Sequence, residues 1–395
     1  MSRTRASNNE FICLMAVLMS LVALATDAML PALGEIGNSL QVSDPNSPQL
    51  VISILFLGMA MGLMLYGPVS DSFGRKKAIY LGLSIFLIGD LISLLSNDLT
   101  TMLLGRFLQG FGGASCRVVT QAMIRDKFQG NKMARVMSLI MMFFILVPVL
   151  APSVGQAILL VGDWHAIFLF IFIIGFIGLI WLGVRQPETW PQAKRLPFSG
   201  AVIWSGIKET VSNRYTRTYM FAAGIMFGAF IGYLSSTQQI LQVQYQLGDA
   251  FSIYFGALAL VIGFSSFVNS KLVMRFGMQN LCLMALCILS FVAAAFSVYA
   301  YAFDGHPSLM SFLAFMAVTF FCFGILFGNF NALAIEPLGH IAGVANSIIS
   351  SIQTFISVII GATIGQCYEG SVLPLVLGFL ICGVSSVLLM LIARR

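Results

Sequence analysis

The chain has 395 residues, of which 58% are hydrophobic and only 9% charged. Soluble domains carry about 25% charged residues, so most of this chain lies where charge cannot be solvated. A soluble enzyme, a nucleic-acid-binding module and a disordered scaffold are thereby excluded. The net charge of +6 then reports orientation in a membrane rather than affinity for nucleic acid.

Spanning helices need about 20 apolar residues each, and twelve stretches of the sequence qualify. The first covers 11–33, behind Arg3 and Arg5. A basic start before an apolar run is also how a signal peptide begins. Here no small-residue cleavage pattern precedes Asp27 and the run is long enough to span, so it is read as an uncleaved first span. Spans at 49–70, 78–96, 99–123, 134–160 and 166–184 follow, joined by short turns rich in Gly, Pro, Asn and Asp. The connection 185–217 is longer and carries Pro187, Pro191 and Pro197 among basic residues. Beyond it lie spans at 218–241, 252–272, 280–303, 309–332, 341–365 and 372–393. The expected architecture is an all-α integral membrane protein: an N-terminal six-helix bundle over 1–184, a cytoplasmic central loop over 185–217 and a C-terminal six-helix bundle over 218–395.

Charge supports that topology. With the N-terminus in the cytoplasm, every Lys and Arg except Arg106 and Arg117 falls on the cytoplasmic side, while the outer connections hold only acids: Glu35, Asp44, Asp98, Asp163, Asp249, Asp304 and Glu369. Both termini are then cytoplasmic. A faint internal repeat agrees, since Ser72-Phe73-Gly74-Arg75 after the second span returns as Arg275-Phe276-Gly277-Met278 after the eighth. Two six-helix halves related by a parallel repeat are a known transporter architecture.

Four ionisable residues fall inside spans: Asp27, Asp90, Arg106 and Arg117. Each costs about 2.5–3.5 kcal/mol at a helix centre on insertion scales, so each should face the bundle interior or a water-filled cavity. Burial disfavours the charge of a carboxylate, which suits Asp27 to take up and release protons. The structural alternative is a charge pair that ties two helices together. Arg106, Gly110, Gly113 and Arg117 share one helical face, with about 20° between the two arginines. Asp27 is the best candidate partner by depth, without a choice between the arginines. Asp90 serves equally well as a partner for another helix or as a group on the transport path. After the second span, Gly67-Pro68-Val69-Ser70-Asp71-Ser72-Phe73-Gly74-Arg75-Lys76-Lys77 can form a latch, with Asp126 beside Arg125 as a partner for Arg75. Membrane anchoring accounts for Lys76 and Lys77.

Several patterns carry no chemistry. The spacing from Gly67 to Lys76 is wrong for a P-loop, and Gly110-Phe111-Gly112-Gly113 lies inside a span. His165, His306 and His340 are scattered, and the seven cysteines show no ligand spacing, so no metal is expected. No nucleophile meets a base. The chain is read as a non-enzyme without a cofactor.

The segment 67–77 resembles the loop motif between the second and third spans of the major facilitator superfamily, with Gly67, Asp71, Gly74, Arg75 and Lys76 in place. It departs at Ser72, where an arginine is common. Leu103 to Ser115 is similar to the fourth-span motif through Arg106, Gln109, Gly110 and Gly113. Ala151-Pro152-Ser153-Val154-Gly155-Gln156, with Pro148 ahead of it, resembles the antiporter motif of the fifth span, although Ala151 and Gln156 replace glycines. Asp27 to Pro31 and Ala334 to Gly343 look like the drug:H⁺ antiporters with twelve spans, of the bicyclomycin- and chloramphenicol-resistance type. The resemblance implies a proton-driven exporter of lipophilic drugs or toxic metabolites in a bacterial inner membrane, working by alternating access. Protons would be the coupling ion. Asp27 would carry the proton, Arg106 would tune it, and Asp71, Arg75 and Asp126 would close the inward side. Arg117 has no counterpart in the motif, and its part in coupling is read from its position alone.

The 21 Met and 34 Phe would give an adaptable cavity for small lipophilic substrates. Candidate path residues are Asp90, Gln238, Gln242, Asn331, Asn346 and Gln353, with Gln239 and Asn329 nearby. The expected partners are such substrates and the lipid bilayer, with no nucleic acid, and the protein is expected to be a monomer. The rival reading is a dedicated transporter, exporter or importer, of one metabolite such as a sugar, an amino acid derivative or a siderophore.

Overall fold

Backbone polar groups inside a bilayer have no water to bond to, and an α-helix satisfies them within each span. The computed structural model describes residues 7–195 and 197–393. Among these residues every regular element is helical. The long helices are α1 (Asn8–Asp27), α3 (Leu50–Phe73), α4 (Arg75–Leu94), α5 (Leu99–Lys127), α6 (Gly130–Leu159), α7 (Trp164–Arg185), α9 (Arg214–Gln238), α10 (Phe251–Phe276), α11 (Met278–Ala302), α12 (Leu309–Ile335), α13 (Ala342–Gln366) and α14 (Leu373–Ala393). Two shorter ones are α2 (Leu33–Ser39) and α8 (Gly200–Ser212).

The twelve long helices match the twelve predicted spans, with instructive differences. Among the described residues nine apolar stretches are long enough to cross a membrane, and one of them, Leu309–Gln366, contains both α12 and α13. The charged helix α5 is not among the nine, and α6 contributes only the shorter apolar run Leu146–Leu159. The predicted first span is broken. Pro31 has no N–H to offer the carbonyl of Asp27, so α1 stops at Asp27 and the chain passes through a 3₁₀ turn, Leu30–Ala32, into α2. The seventh span ends in a π-helical turn, Gln239–Gln244. The predicted central loop is not irregular throughout, because α8 lies within it.

The chain divides into two compact units, one of residues 1–42 and 54–204, the other of residues 43–53 and 205–395. In the first unit α4 and α5 are the most closely packed pair. Gly82 and Gly89 of α4 face Gly112 and Gly105 of α5 so tightly that a Cβ on Gly89 would lie 2.6 Å from the Gly105 carbonyl oxygen. Small residues let spans pack by van der Waals contact where lipid offers no hydrophobic drive. On α4, Ile88 and Leu91 point outward while Asp90 between them is buried, so one helix presents apolar groups to lipid and its single acid to the interior.

The second unit repeats the device. Gly224, Gly228 and Gly232 of α9 meet Gln353, Ile360 and Ile364 of α13, and the Ser357 hydroxyl donates to the Gly224 carbonyl at 2.8 Å. The segment 43–53 belongs to this unit. Asn46 Nδ2 donates to the carbonyls of Gln366 and Tyr368 at 3.1 and 2.8 Å, and Gln239 Nε2 donates to Asn46 Oδ1 at 3.0 Å.

The repeat seen in the sequence has a backbone counterpart. Gly74 (φ 102°) lies between α3 and α4, and Gly277 (φ 75°) lies between α10 and α11. In both places a helix ends on Phe, a glycine turns the chain with positive φ, and the next helix begins at once. Such angles strain any residue with a Cβ.

Candidate functional site

Asp27 ends α1 where Pro31 breaks the first span, and it is only 5% exposed. Its carboxylate has no hydrogen-bond or ion-pair partner among the described residues. Helix α6 lies directly against the break, since a Cβ on Gly155 would fall 1.8 Å from the carbonyl oxygen of Ala28. Pro152 is buried, Pro148 is half-buried, and α6 stays helical through both.

Arg106 is fully buried on α5. Its Nη1 donates to the Gln109 side-chain oxygen, its Nη2 donates to the Ala25 carbonyl on α1 at 3.1 Å, and its guanidinium lies 5.7 Å from the ring centre of Phe168 on α7. Gln109 then turns its Nε2 toward Asp90 Oδ1 on α4, at 2.5 Å. One glutamine therefore accepts from the cation and donates to the anion, and the two charges are balanced inside the bundle without direct contact.

This arrangement corrects two expectations. Neither arginine pairs with Asp27: Arg106 is taken up by Gln109 and by a backbone carbonyl two residues before Asp27, and Arg117 is half-buried with no partner among the described residues. Asp90, placed among path residues from sequence, is fully buried in the Arg106 network. Its second oxygen, Oδ2, is buried without a hydrogen-bond partner. The Arg106–Arg117 face meets two helices. A Cβ on Gly110 would contact the Leu55 carbonyl of α3, and one on Gly113 would contact Val22 of α1.

The 67–77 segment forms a second charged cluster. Arg75 bonds Asp71 through Nη1 and Asp126 Oδ2 through Nε at 3.0 Å, and its Nη1 donates to Ser70 Oγ at 2.8 Å. The Ser70 hydroxyl donates to the Gly67 carbonyl at 2.8 Å. Asp71, Arg75 and Asp126 are brought together as the spacing suggested. Sequence reasoning missed the residues that enclose them, Glu188, Thr189 and Trp190, which follow α7. The only signal was an acid held between Pro187 and Pro191. Lys76 donates to the Gly183 carbonyl at 2.9 Å, a helix-end contact rather than a free surface charge.

The candidate path residues of the second unit are not one constellation. Gln238 Nε2 donates to Gln242 Oε1 at 3.0 Å across the π-helical turn. Asn331 bonds its own helix at the Phe327 carbonyl, Asn346 is half-buried on α13, and Gln353 is buried with Nε2 unpartnered. Asn329 of α12 is paired with Asn269 of α10 at 2.8 Å.

The pattern of the Major Facilitator Superfamily matches residues 15–362. The chain belongs to this superfamily. Its members are transporters, not enzymes. Among relatives of this superfamily chain, a bicyclomycin resistance protein homolog of Haemophilus influenzae is 30% identical over 96% of this chain and 94% of its own length. Multidrug resistance protein D of Escherichia coli is 24% identical over 93% of this chain and 92% of its own length. Among solved structures, a D-xylose–proton symporter superposes with a TM-score of 0.74 at 15% identity, covering 97% of both chains. The human organic anion transporter MFSD10 superposes with a TM-score of 0.69 at 14% identity, covering 98% of this chain and 99% of its own. These structural matches carry the superfamily fold.

Proposed function

We propose that this superfamily member exports lipophilic drugs or toxic metabolites across a bacterial inner membrane in exchange for protons, by alternating access. The observation that carries the reading is Asp27, a buried carboxyl at the end of a broken helix with no bonding partner among the described residues. A group so placed changes its surroundings when it gains or loses a proton, because its charged form demands water that its neutral form does not. Arg106 bonds the carbonyl of Ala25, so a shift in the end of α1 is felt by the Arg106–Gln109–Asp90 network. Gly155 places α6 on the same break, and the three helices respond together. Asp71, Arg75 and Asp126 act as the latch that holds the inward side closed. The names of the relatives, one for bicyclomycin resistance and one for multidrug resistance, support a drug as cargo.

The test has two parts. Cells lacking their major exporters and expressing the protein should survive higher concentrations of bicyclomycin, chloramphenicol and ethidium; protection against none of them, with secretion of one metabolite changed, would make it a dedicated transporter. In vesicles with an imposed pH gradient, Asp27→Asn should abolish driven efflux while the protein stays folded. Unchanged efflux would remove Asp27 from the coupling step.

A further inference from the structure

Three consecutive residues after α7 each grip a different part of the Arg75 cluster. Helix α4 starts behind Gly74, which has no side chain with which to cap it. Glu188 supplies the cap from far along the chain: Oε1 accepts from the Arg75 N–H at 3.0 Å and Oε2 from the Lys76 N–H at 3.2 Å. An anion at a helix N-terminus also meets the positive end of the helix dipole. Thr189 Oγ1 donates to Asp126 Oδ2 at 3.2 Å. Trp190 Nε1 donates to the Asp71 carbonyl at 3.2 Å, and its ring lies 4.6 Å from the Arg75 guanidinium carbon.

The segment is built to hold this shape. Glu188 Oε1 also accepts the N–H groups of Thr189 and Trp190 at 3.0 Å each, folding the turn around one carboxylate, and Pro187 and Pro191 restrict the backbone on either side. The seat is shaped for it as well, because a Cβ on Gly74 would lie 2.5 Å from Glu188 Oε2. Ion pairs open to water contribute little, and the Asp71 side chain is 35% exposed. Covering Arg75 with an indole face desolvates the cation and strengthens its attraction to both the ring and the carboxylates.

We propose that Glu188, Thr189 and Trp190 form a clip that positions Arg75 between Asp71 and Asp126, so that the latch and the clip release as one event. This rests on the reading of Asp71, Arg75 and Asp126 as a latch. These three are positioning residues: they act on transport through Arg75 and touch no substrate.

The test uses full-length protein in lipid nanodiscs, with Trp164, Trp181 and Trp204 replaced by Phe so that Trp190 is the sole indole. Arg75→Gln should raise acrylamide quenching of Trp190 about threefold and shift its emission to the red. Glu188→Gln, which leaves one acceptor oxygen for the four N–H groups of Arg75, Lys76, Thr189 and Trp190, should do the same, and the double variant should go no further than the larger single. Unchanged quenching in Arg75→Gln, or single effects that add, would overturn the proposal. Trypsin cleavage after Arg195 in protein with all four tryptophans reads release in Arg75→Gln without the Phe replacements, a faster rate being expected and an equal rate overturning the proposal; because Arg195 Nη2 lies 3.9 Å from Glu188 Oε2, this readout is kept to variants that retain Glu188. Ethidium efflux separates the clip from the latch. Glu188→Gln should lower kcat at unchanged KM, as should Asp126→Asn. Loss of turnover in Asp126→Asn alone, without coupled quenching, removes the clip and leaves the latch; full turnover in both Asp71→Asn and Asp126→Asn removes the latch and the clip's part in transport with it.

Discussion

Arg106 reaches three neighbours at once: Gln109 on its own helix, the Ala25 carbonyl of α1 and the Phe168 ring of α7. A buried cation is tolerated only when such contacts replace its water, and removing it strands the groups that remain. Arg106→Ala leaves Asp90 buried with its countercharge gone, and the expected loss is about 3–5 kcal/mol, read as a fall in the melting midpoint of purified protein. Arg106→Lys keeps the charge, but an ammonium lacks the planar fork that serves several partners; an intermediate loss is expected. A charge at the water boundary behaves differently. Asp98 caps α5, accepting from the Thr101 N–H at 2.9 Å and the Thr101 hydroxyl at 2.7 Å. These bonds, the hydroxyl first, hold its carboxyl below the ordinary carboxylate range. The cap's contribution is therefore complete above about pH 4, the unfolded value, and is lost as pH falls through the lower folded value. Amide exchange of the first turn of α5, corrected for intrinsic rates, should be level from pH 7 to 5 and rise only in stronger acid. An increase beginning near pH 6 would mean the cap is not what titrates.

At the scale of elements, the break in α1 and the helix that leans on it set the candidate site. Because a Cβ on Gly155 would overlap the Ala28 carbonyl oxygen, Gly155→Val must drive α6 away from α1. Overpacking of this kind costs about 1–3 kcal/mol, and driven efflux should fall more steeply than stability, since the displaced turn carries Asp27. Equal losses of efflux in Gly155→Val and in a comparably destabilised variant far from α1 would show that the contact is only structural. What the sequence disclosed here follows from which forces are local. Apolar length is local, so the long helices are legible, and Pro31 is a local breaker that stands in plain view even though the apolar run continues past it. The partner of Arg106 was not legible, because depth within a span constrains two residues only to one layer and leaves open which helices adjoin. Gln109 decided the matter by accepting from the arginine and donating to Asp90. Glu188 was hidden for another reason: a cap donated from a distant connection leaves no spacing signal beside the helix it caps.

At the scale of the molecule, the Lys and Arg that the spans exclude keep to one end within each unit. In the first unit, Arg75, Lys76 and Lys77 begin α4, Arg125 and Lys127 end α5 and Arg185 ends α7. At the opposite ends of these helices Asp98 caps α5 and Asp163 caps α7. The second unit follows the same rule, with Arg214 and Arg217 at the start of α9 and Lys271 and Arg275 at the end of α10, against Asp249, Asp304 and Glu369 at the other ends. Lys and Arg flanking short connections are retained in the cytoplasm during insertion, whereas acids contribute little, so the basic ends are expected to face inward. An alkaline phosphatase domain, active only outside the cytoplasm, should be active when inserted after Gly162, between α6 and α7, and inactive when inserted after Gln192. A fluorescent protein that matures only in the cytoplasm should give the reverse pattern. That orientation would put Arg75 with Asp71, Asp126 and Glu188 on the cytoplasmic side, where an inward latch must be. Phosphatase activity at 192 would place the cluster outside and exclude that role, whatever the effect of Asp27→Asn on efflux.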